Sequence, residues 1–187
     1  PKWTWETLIH GLPRLRTVEH YTQTTDMKFT SGFVGNRLGG TLDWAYCKRV
    51  KELWKGPVVL KGILHPEDAK KAVAIGLDGV YVSNHGARQF DGGITSLEAL
   101  PKIVNVVNGK AKILFDSGIR SGLDAMKALY LGADFVLAGR PFVQGVAALG
   151  KLGGDHVAHI LIDDLQNNMV QLGTQNLEEL RKVSVVT

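Results

Sequence analysis

A single cysteine, Cys47, rules out an internal disulfide and fits a reducing compartment. No apolar run approaches ~20 residues, so no spanning helix is expected. Nor is there a signal-peptide pattern, although the abrupt start leaves room for a longer parent. Charge of one sign is not blocked anywhere: 22 Lys and Arg stand against 18 Asp and Glu, spread along the chain for a net +4. That balance suits anionic ligands or an acidic membrane surface and does not call for nucleic acid. No G-x-G-x-x-G follows any apolar run, and no group of His, Cys, Asp and Glu has metal-ligand spacing. A dinucleotide fold and a metal centre are therefore not expected. With 187 residues, the chain can bury the core of one domain.

From about residue 56, apolar strand-like runs alternate with amphipathic helices four times. Val58-Val59-Leu60 precedes a helix from Pro66 to about Ile75, started by proline with Glu67 and Asp68. Val80-Tyr81-Val82 precedes one opened by the capping-box pattern Thr95-x-x-Glu98. Ile113-Leu114-Phe115 precedes a helix from about Ser121 to Leu131, and Phe135-Val136-Leu137 one from Pro141 toward Leu149. Helices are also expected over 155–172 and 177–182. The echo between Gly76-Leu77-Asp78-Gly79-Val80 and Gly132-Ala133-Asp134-Phe135-Val136 marks repeated helix-to-strand turns. Repeats of this kind predict an α/β fold, a parallel sheet covered by helices.

Lys61, His85, Arg88, Asp116, Arg120 and Arg140 each follow the C-terminal end of a predicted strand. That is the active face of a (β/α)8 barrel, whose last βα loops commonly hold phosphate. A doubly wound sheet would also bind at its strand ends, but the missing glycine fingerprint favours the barrel. Within Ser83-Asn84-His85-Gly86-Ala87-Arg88-Gln89, the imidazole can take a proton near neutral pH, and the Arg88 guanidinium can grip a carboxylate with two parallel bonds. A lone loop histidine is usually structural, and His10, His20, His65, His156 and His159 are read so; Arg88 three residues on reverses that for His85. Ser121 reads as a cap, Asp78 and Asp134 as turn residues, and Cys47 as inert.

Taken together, Leu60-Lys61-Gly62-Ile63, the His85 segment, Asp116-Ser117-Gly118-Ile119-Arg120 and Gly139-Arg140 resemble the FMN-dependent L-2-hydroxyacid dehydrogenase and oxidase family. Asp-Ser-Gly-x-Arg, in place of Asp-Gly-Gly-x-Arg, and the opening Pro1-Lys2-Trp3-Thr4-Trp5 look like its bacterial L-lactate dehydrogenase branch. The resemblance implies FMN as cofactor and oxidation of an L-2-hydroxy acid, L-lactate first, to the 2-keto acid. His85 would be the base, taking either the Cα proton or the hydroxyl proton. Arg88 would hold the substrate carboxylate. Lys61 and Ser83 would meet the flavin ring, and Asp116, Ser117, Gly118, Ile119, Arg120, Gly139 and Arg140 its ribityl and phosphate. Electrons would pass to quinone or another carrier, or to oxygen in an oxidase releasing hydrogen peroxide. A noncatalytic flavin- or phosphate-binding half-barrel is the alternative of a different class.

A whole barrel takes about 250 residues. The resemblance therefore implies the C-terminal half of one, 56–187, preceded by a loop or lid, 1–55, between the fourth and fifth strands. The other half, with the aspartate that would orient His85, is expected as a separate or nicked chain or as upstream sequence. In the lid, Trp3, Trp5, Phe29 and Phe33 mix with Lys2, Arg14, Arg16, Lys28 and Arg37, which suits an anionic membrane interface; the plainer reading is a lid over the barrel mouth, with a helix over 43–54. The resemblance further implies a homo-oligomer, in the cytoplasm or peripheral on the inner face of the cell membrane.

Overall fold

The two echoed segments at Gly76 and Gly132 end helices in the same way and start strands in the same way. The computed structural model describes residues 2–12, 14–37 and 42–184; Pro1, which opens the stretch resembling the bacterial branch, lies outside them. Helix α5 (Pro66–Ala74) closes with Gly76 N–H donating to Val73 O and Leu77 N–H to Ala72 O. Helix α7 (Gly122–Tyr130) closes identically, through Gly132 to Leu129 and Ala133 to Ala128. Both are Schellman closures, with Leu77 and Ala133 buried as the hydrophobic stop. Each following aspartate then ties the turn to a neighbouring strand. Asp78 Oδ2 accepts Val58 N–H at 2.7 Å, and Asp134 Oδ2 accepts Ile113 N–H at 2.8 Å. Their expected role as turn residues matches these bonds.

Strands β1 (Val59–Ile63), β2 (Gly79–Val82), β3 (Lys112–Phe115) and β4 (Phe135–Val136) form one parallel sheet in the order β1-β2-β3-β4. Crossovers are made by α5, by α6 (Ser96–Val107) and by α7. The start signals read from sequence are in place: His65 caps α5 ahead of Pro66, Thr95 and Glu98 complete a capping box on α6, and Ser121 Oγ accepts Asp124 N–H on α7. On one sheet face Val80, Val82, Ile113 and Phe115 are buried, as are Ala69, Ala72, Leu100, Ile103 and Val107 of the covering helices. Each large apolar side chain buried there contributes about 1.5–3 kcal/mol. The opposite face carries Lys61, Tyr81, Leu114 and Phe135 at one register level, and Phe135 is 57% exposed. Helix cover is thus found on one face, because four strands cannot wrap around to enclose the other.

The chain continues through α8 (Arg140–Leu149), α9 (Gly153–Gln171) and α10 (Leu177–Leu180). Backbones of α7 and α9 approach so closely that a Cβ on Gly122 would lie 2.1 Å from Leu165 N. Asp164 of α9 uses that approach to cap α7, accepting Gly122 N–H at 2.6 Å and Leu123 N–H at 3.3 Å. Leu180 of α10 is buried with Met126 and Leu129 of α7.

Residues Pro1–Cys47 and Lys48–Thr187 form two compact units. The first holds α1 (Lys2–His10), α2 (Arg16–Thr22), α3 (Met27–Arg37) and the start of α4 (Trp44–Leu53). Of these, α4 matches the helix expected over 43–54, whereas the remainder is expected as loop. Short length and apolar residues on all sides of α3 explain why the other helices carried no periodic signal. Lys51 of α4 pairs with Asp78 at 2.5 Å, which ties the last turns of this helix to the sheet unit. Among the described residues, no helix is long and apolar enough to cross a membrane.

Candidate active site at the strand ends

Lys61 stands two residues before the end of β1, and the next residue, Gly62, has φ +92° and breaks the register with β2. This bulge turns the chain just after the lysine, a backbone shape glycine adopts without strain. Lys61 Nζ donates to Ser83 Oγ at 2.9 Å and to Asp116 Oδ2 at 2.5 Å, and it lies 3.8 Å from the centre of the Tyr81 ring. Tyr81 OH donates to the same carboxylate oxygen at 2.9 Å. The other oxygen, Oδ1, accepts from Ser117 Oγ at 2.8 Å. One carboxylate after β3 thus gathers groups from β1, β2 and its own loop.

Burial alone would raise the Asp116 pKa. Hydrogen bonds from Lys61, Ser83, Ser117 and Tyr81 outweigh it and hold the carboxyl below the usual carboxylate range. For Tyr81, burial first, then the bond to Asp116 and its negative charge, push the phenol well above its ordinary value. The phenol stays a donor and the carboxylate an acceptor, so the cluster is electrostatically consistent.

The loop after β2 is strained. His85, Gly86 and Ala87 form a single 3-10 turn with φ of +58°, +66° and +60°. Left-handed backbone costs a non-glycine residue about 1–2 kcal/mol, so the turn needs external ties. Ser83, 2% exposed, accepts His85 N–H at 3.1 Å, and Asn84 Oδ1 accepts Ala87 N–H at 3.2 Å. Asn84 N–H is in turn held by buried Ser96 Oγ at 2.9 Å. From the next loops, Ser117 Oγ accepts Gly86 N–H at 3.0 Å, and Arg140 Nη2 donates to Gly86 O. Strain concentrated at one loop and secured by four neighbours is a functional-site signature.

Of the residues selected from sequence, Lys61, Ser83, His85, Asp116, Ser117 and Arg140 belong to this connected cluster. The Arg88 and Arg120 side chains are exposed and make no hydrogen bond or ion pair among the described residues, and the same holds for the His85 ring. Ile119 is buried. At Gly118 and Gly139 an added Cβ would meet nothing within 4 Å, so the backbone there is open to close approach. Helix α8 starts at Gly139 without a side-chain cap, whereas Ser121 and Asp164 already occupy the first amides of α7. An anion is therefore better served at α8, beside Arg140. Among the described residues no His, Cys, Asp and Glu group could hold a metal.

Tyr81, Asn84 and Ser96 went unselected from sequence. A tyrosine in a buried strand opposite Lys61, and an asparagine ahead of His-Gly, were readable hints. Ser96 looks like an ordinary helix-start residue, and tertiary packing alone reveals its contact.

Polar groups converging at the C-terminal ends of parallel strands, with open last loops, are the arrangement of one half of a (β/α)8 barrel, of which this chain carries four βα units. The family model for FMN-dependent dehydrogenases matches residues 1–187, and the chain belongs to that family. It is 42% identical over 182 residues to an L-lactate dehydrogenase of Xanthomonas euvesicatoria pv. vesicatoria, covering 96% of this chain and 47% of that protein. With an L-lactate oxidase of Lysinibacillus sphaericus it shares 46% identity over 158 residues, covering 84% and 41%. A crystal structure of mandelate oxidase with (S)-4-hydroxymandelic acid superposes with a TM-score of 0.75 at 40% identity, over 78% of this chain and 41% of that one. The chain spans about half the length of the curated relatives it matches.

Proposed function

We propose that this chain forms the C-terminal half of the active site of an FMN-dependent enzyme that oxidises an L-2-hydroxy acid, L-lactate first, to the 2-keto acid. The observation that carries the reading is the chain of contacts from Lys61 through Asp116 and Ser117 to Gly86, which fixes His85 beside the anion-ready loops. The open backbone at Gly118 and Gly139 and the uncapped start of α8 suit a phosphate-bearing cofactor. Arg140, Gly139 and Arg120 would hold the phosphate, Asp116 to Ile119 the ribityl chain, and Lys61 and Ser83 the ring. When bound, FMN supplies a two-electron acceptor.

The chain's own groups do the rest. Arg88 offers a guanidinium without an internal partner, fit to pair a substrate carboxylate through two parallel hydrogen bonds. That pairing orients the acid over the His85 loop. His85 accepts the proton that the substrate releases, and the ties on its loop hold the backbone that carries the imidazole. Lys61 brings positive charge to a site where negative charge develops during oxidation.

The L-lactate oxidase relative favours a second reading, in which oxygen takes the electrons and hydrogen peroxide leaves. In the dehydrogenase reading, quinone or another carrier takes that place. Either reading includes an N-terminal half-barrel, a homo-oligomer and a cytoplasmic site. Exposed Trp3, Trp5 and Phe29 with Lys2 and Lys28 support peripheral contact with an anionic membrane face. Anaerobic addition of L-lactate to the FMN-loaded assembly of this chain with its N-terminal half tests the function. Bleaching of the flavin's visible absorption is expected, and peroxide release in air separates oxidase from dehydrogenase. Bound FMN inert to lactate, glycolate and mandelate would reduce the protein to a noncatalytic binding module.

A further inference from the structure

Ser117 has φ +78°, in the left-handed region that glycine occupies freely and a serine does not. Turn geometry alone gives no reason for a side chain there, since glycine would hold the same backbone without strain. What the serine adds is its hydroxyl. Oγ accepts Gly86 N–H at 3.0 Å and donates to Asp116 Oδ1 at 2.8 Å, so a single atom joins two loops. On the far side, Asp116 Oδ2 holds Lys61 Nζ and Tyr81 OH. On the near side, Gly86 lies directly after His85, and its carbonyl is held by Arg140. Both polar groups of the Gly86 residue are thereby gripped from other strands' loops, Ser117 taking the N–H and Arg140 the carbonyl.

We propose that Ser117 is a positioning residue that tethers the backbone of the His85 loop to the Asp116–Lys61 pair, keeping the imidazole in step with the cofactor side of the site. Ser117 reaches neither substrate proton nor carboxylate in this role; it acts through Gly86. The inference rests on the reading of His85 as the base. Its core, the tether of Gly86, is measurable without turnover. Removing the hydroxyl frees Gly86 N–H, and removing the Cβ relieves the backbone, so Ser117→Gly separates the tether from the stability of the fold.

The test compares the FMN-loaded assembly of this chain with its N-terminal half, as parent, Ser117→Gly and Ser117→Ala. The Gly variant is expected to melt at or above the parent's temperature, and all variants are compared at saturating FMN. Amide exchange at Gly86 should be about tenfold faster in both variants. Lactate-dependent kcat should fall about tenfold with KM unchanged, since a loosened base affects the reacting state more than substrate binding. Unchanged Gly86 protection in Ser117→Gly would overturn the tether, as would a parental kcat in a variant that has lost that protection. If FMN in the parent is not reduced by any hydroxy acid, the proposed function fails. Exchange at Gly86 then decides the tether by itself, faster exchange supporting it and parental exchange overturning it.

Discussion

Arg140, the first residue of α8, donates to the carbonyl oxygen of Gly86 in the His85 loop, so the fourth βα loop holds the second. The same guanidinium stands beside the uncapped amides where an anion is best served. Under the proposed function it would couple phosphate binding to the position of the loop.

Replacing Arg140 by Leu should weaken FMN binding about 10- to 100-fold, since a hydrogen bond to a charged group is worth about 1.5–3 kcal/mol. Titration of FMN fluorescence quenching measures it. An unchanged dissociation constant would place the phosphate elsewhere.

Asp116 has its folded pKa held below the ordinary value, so its pairing stabilises the protein above the unfolded pKa of ~3.9 and the contribution is lost as pH falls through the lower folded value. Asp116→Asn keeps the shape but removes the charge opposite Lys61. Its melting temperature should lie below the parent's by a constant amount at pH 6 and above, and the gap should close below about pH 4. A gap that persists undiminished to about pH 3 would show that the carboxylate's charge is not what stabilises the cluster.

His85 carries φ +58°, which Asn tolerates better than most residues, so His85→Asn tests the imidazole with little change of backbone. Lactate-dependent flavin reduction should fall about 10²–10⁴-fold. FMN affinity should stay at the parental value, because the ring has no partner in the Lys61–Asp116 cluster. Rapid mixing under anaerobic conditions gives the rate, and a loss of FMN together with the rate would assign His85 a cofactor-holding part instead.

Elements with local chemistry were legible in the sequence. Pro66 with Glu67, Thr95 with Glu98, and Ser121 start helices where they should, and Gly76 and Gly132 stop them. Placement of Lys61, His85, Asp116 and Arg140 at one end of the sheet followed from strand direction alone. What stayed hidden depends on contacts between distant segments. Tyr81 carries a phenol whose partner is legible only when Asp116 arrives from 35 positions away. Asp164 reads as the polar side of a long helix, yet it caps α7 from 42 positions away. The three-residue left-handed turn at His85 has glycine at its centre only, so its flanks gave no sign of the strain that neighbouring loops impose.

Gly122 and Gly154 give opposite expectations for one substitution. A Cβ on Gly122 would stand 2.1 Å from Leu165 N and 2.7 Å from Leu161 O, both backbone atoms of α9 that cannot swing aside. Gly122→Ala must push α7 away from α9 and weaken the Asp164 cap, for a loss of about 3 kcal/mol or more. At Gly154, in the first turn of α9, the added methyl would meet nothing within 4 Å. Alanine there should be neutral or stabilise by up to about 1 kcal/mol through better helix propensity. Urea unfolding of both variants against the parent measures the difference. Equal midpoints would mean that α7 and α9 do not pack backbone to backbone, and the Asp164 cap would fall with that contact.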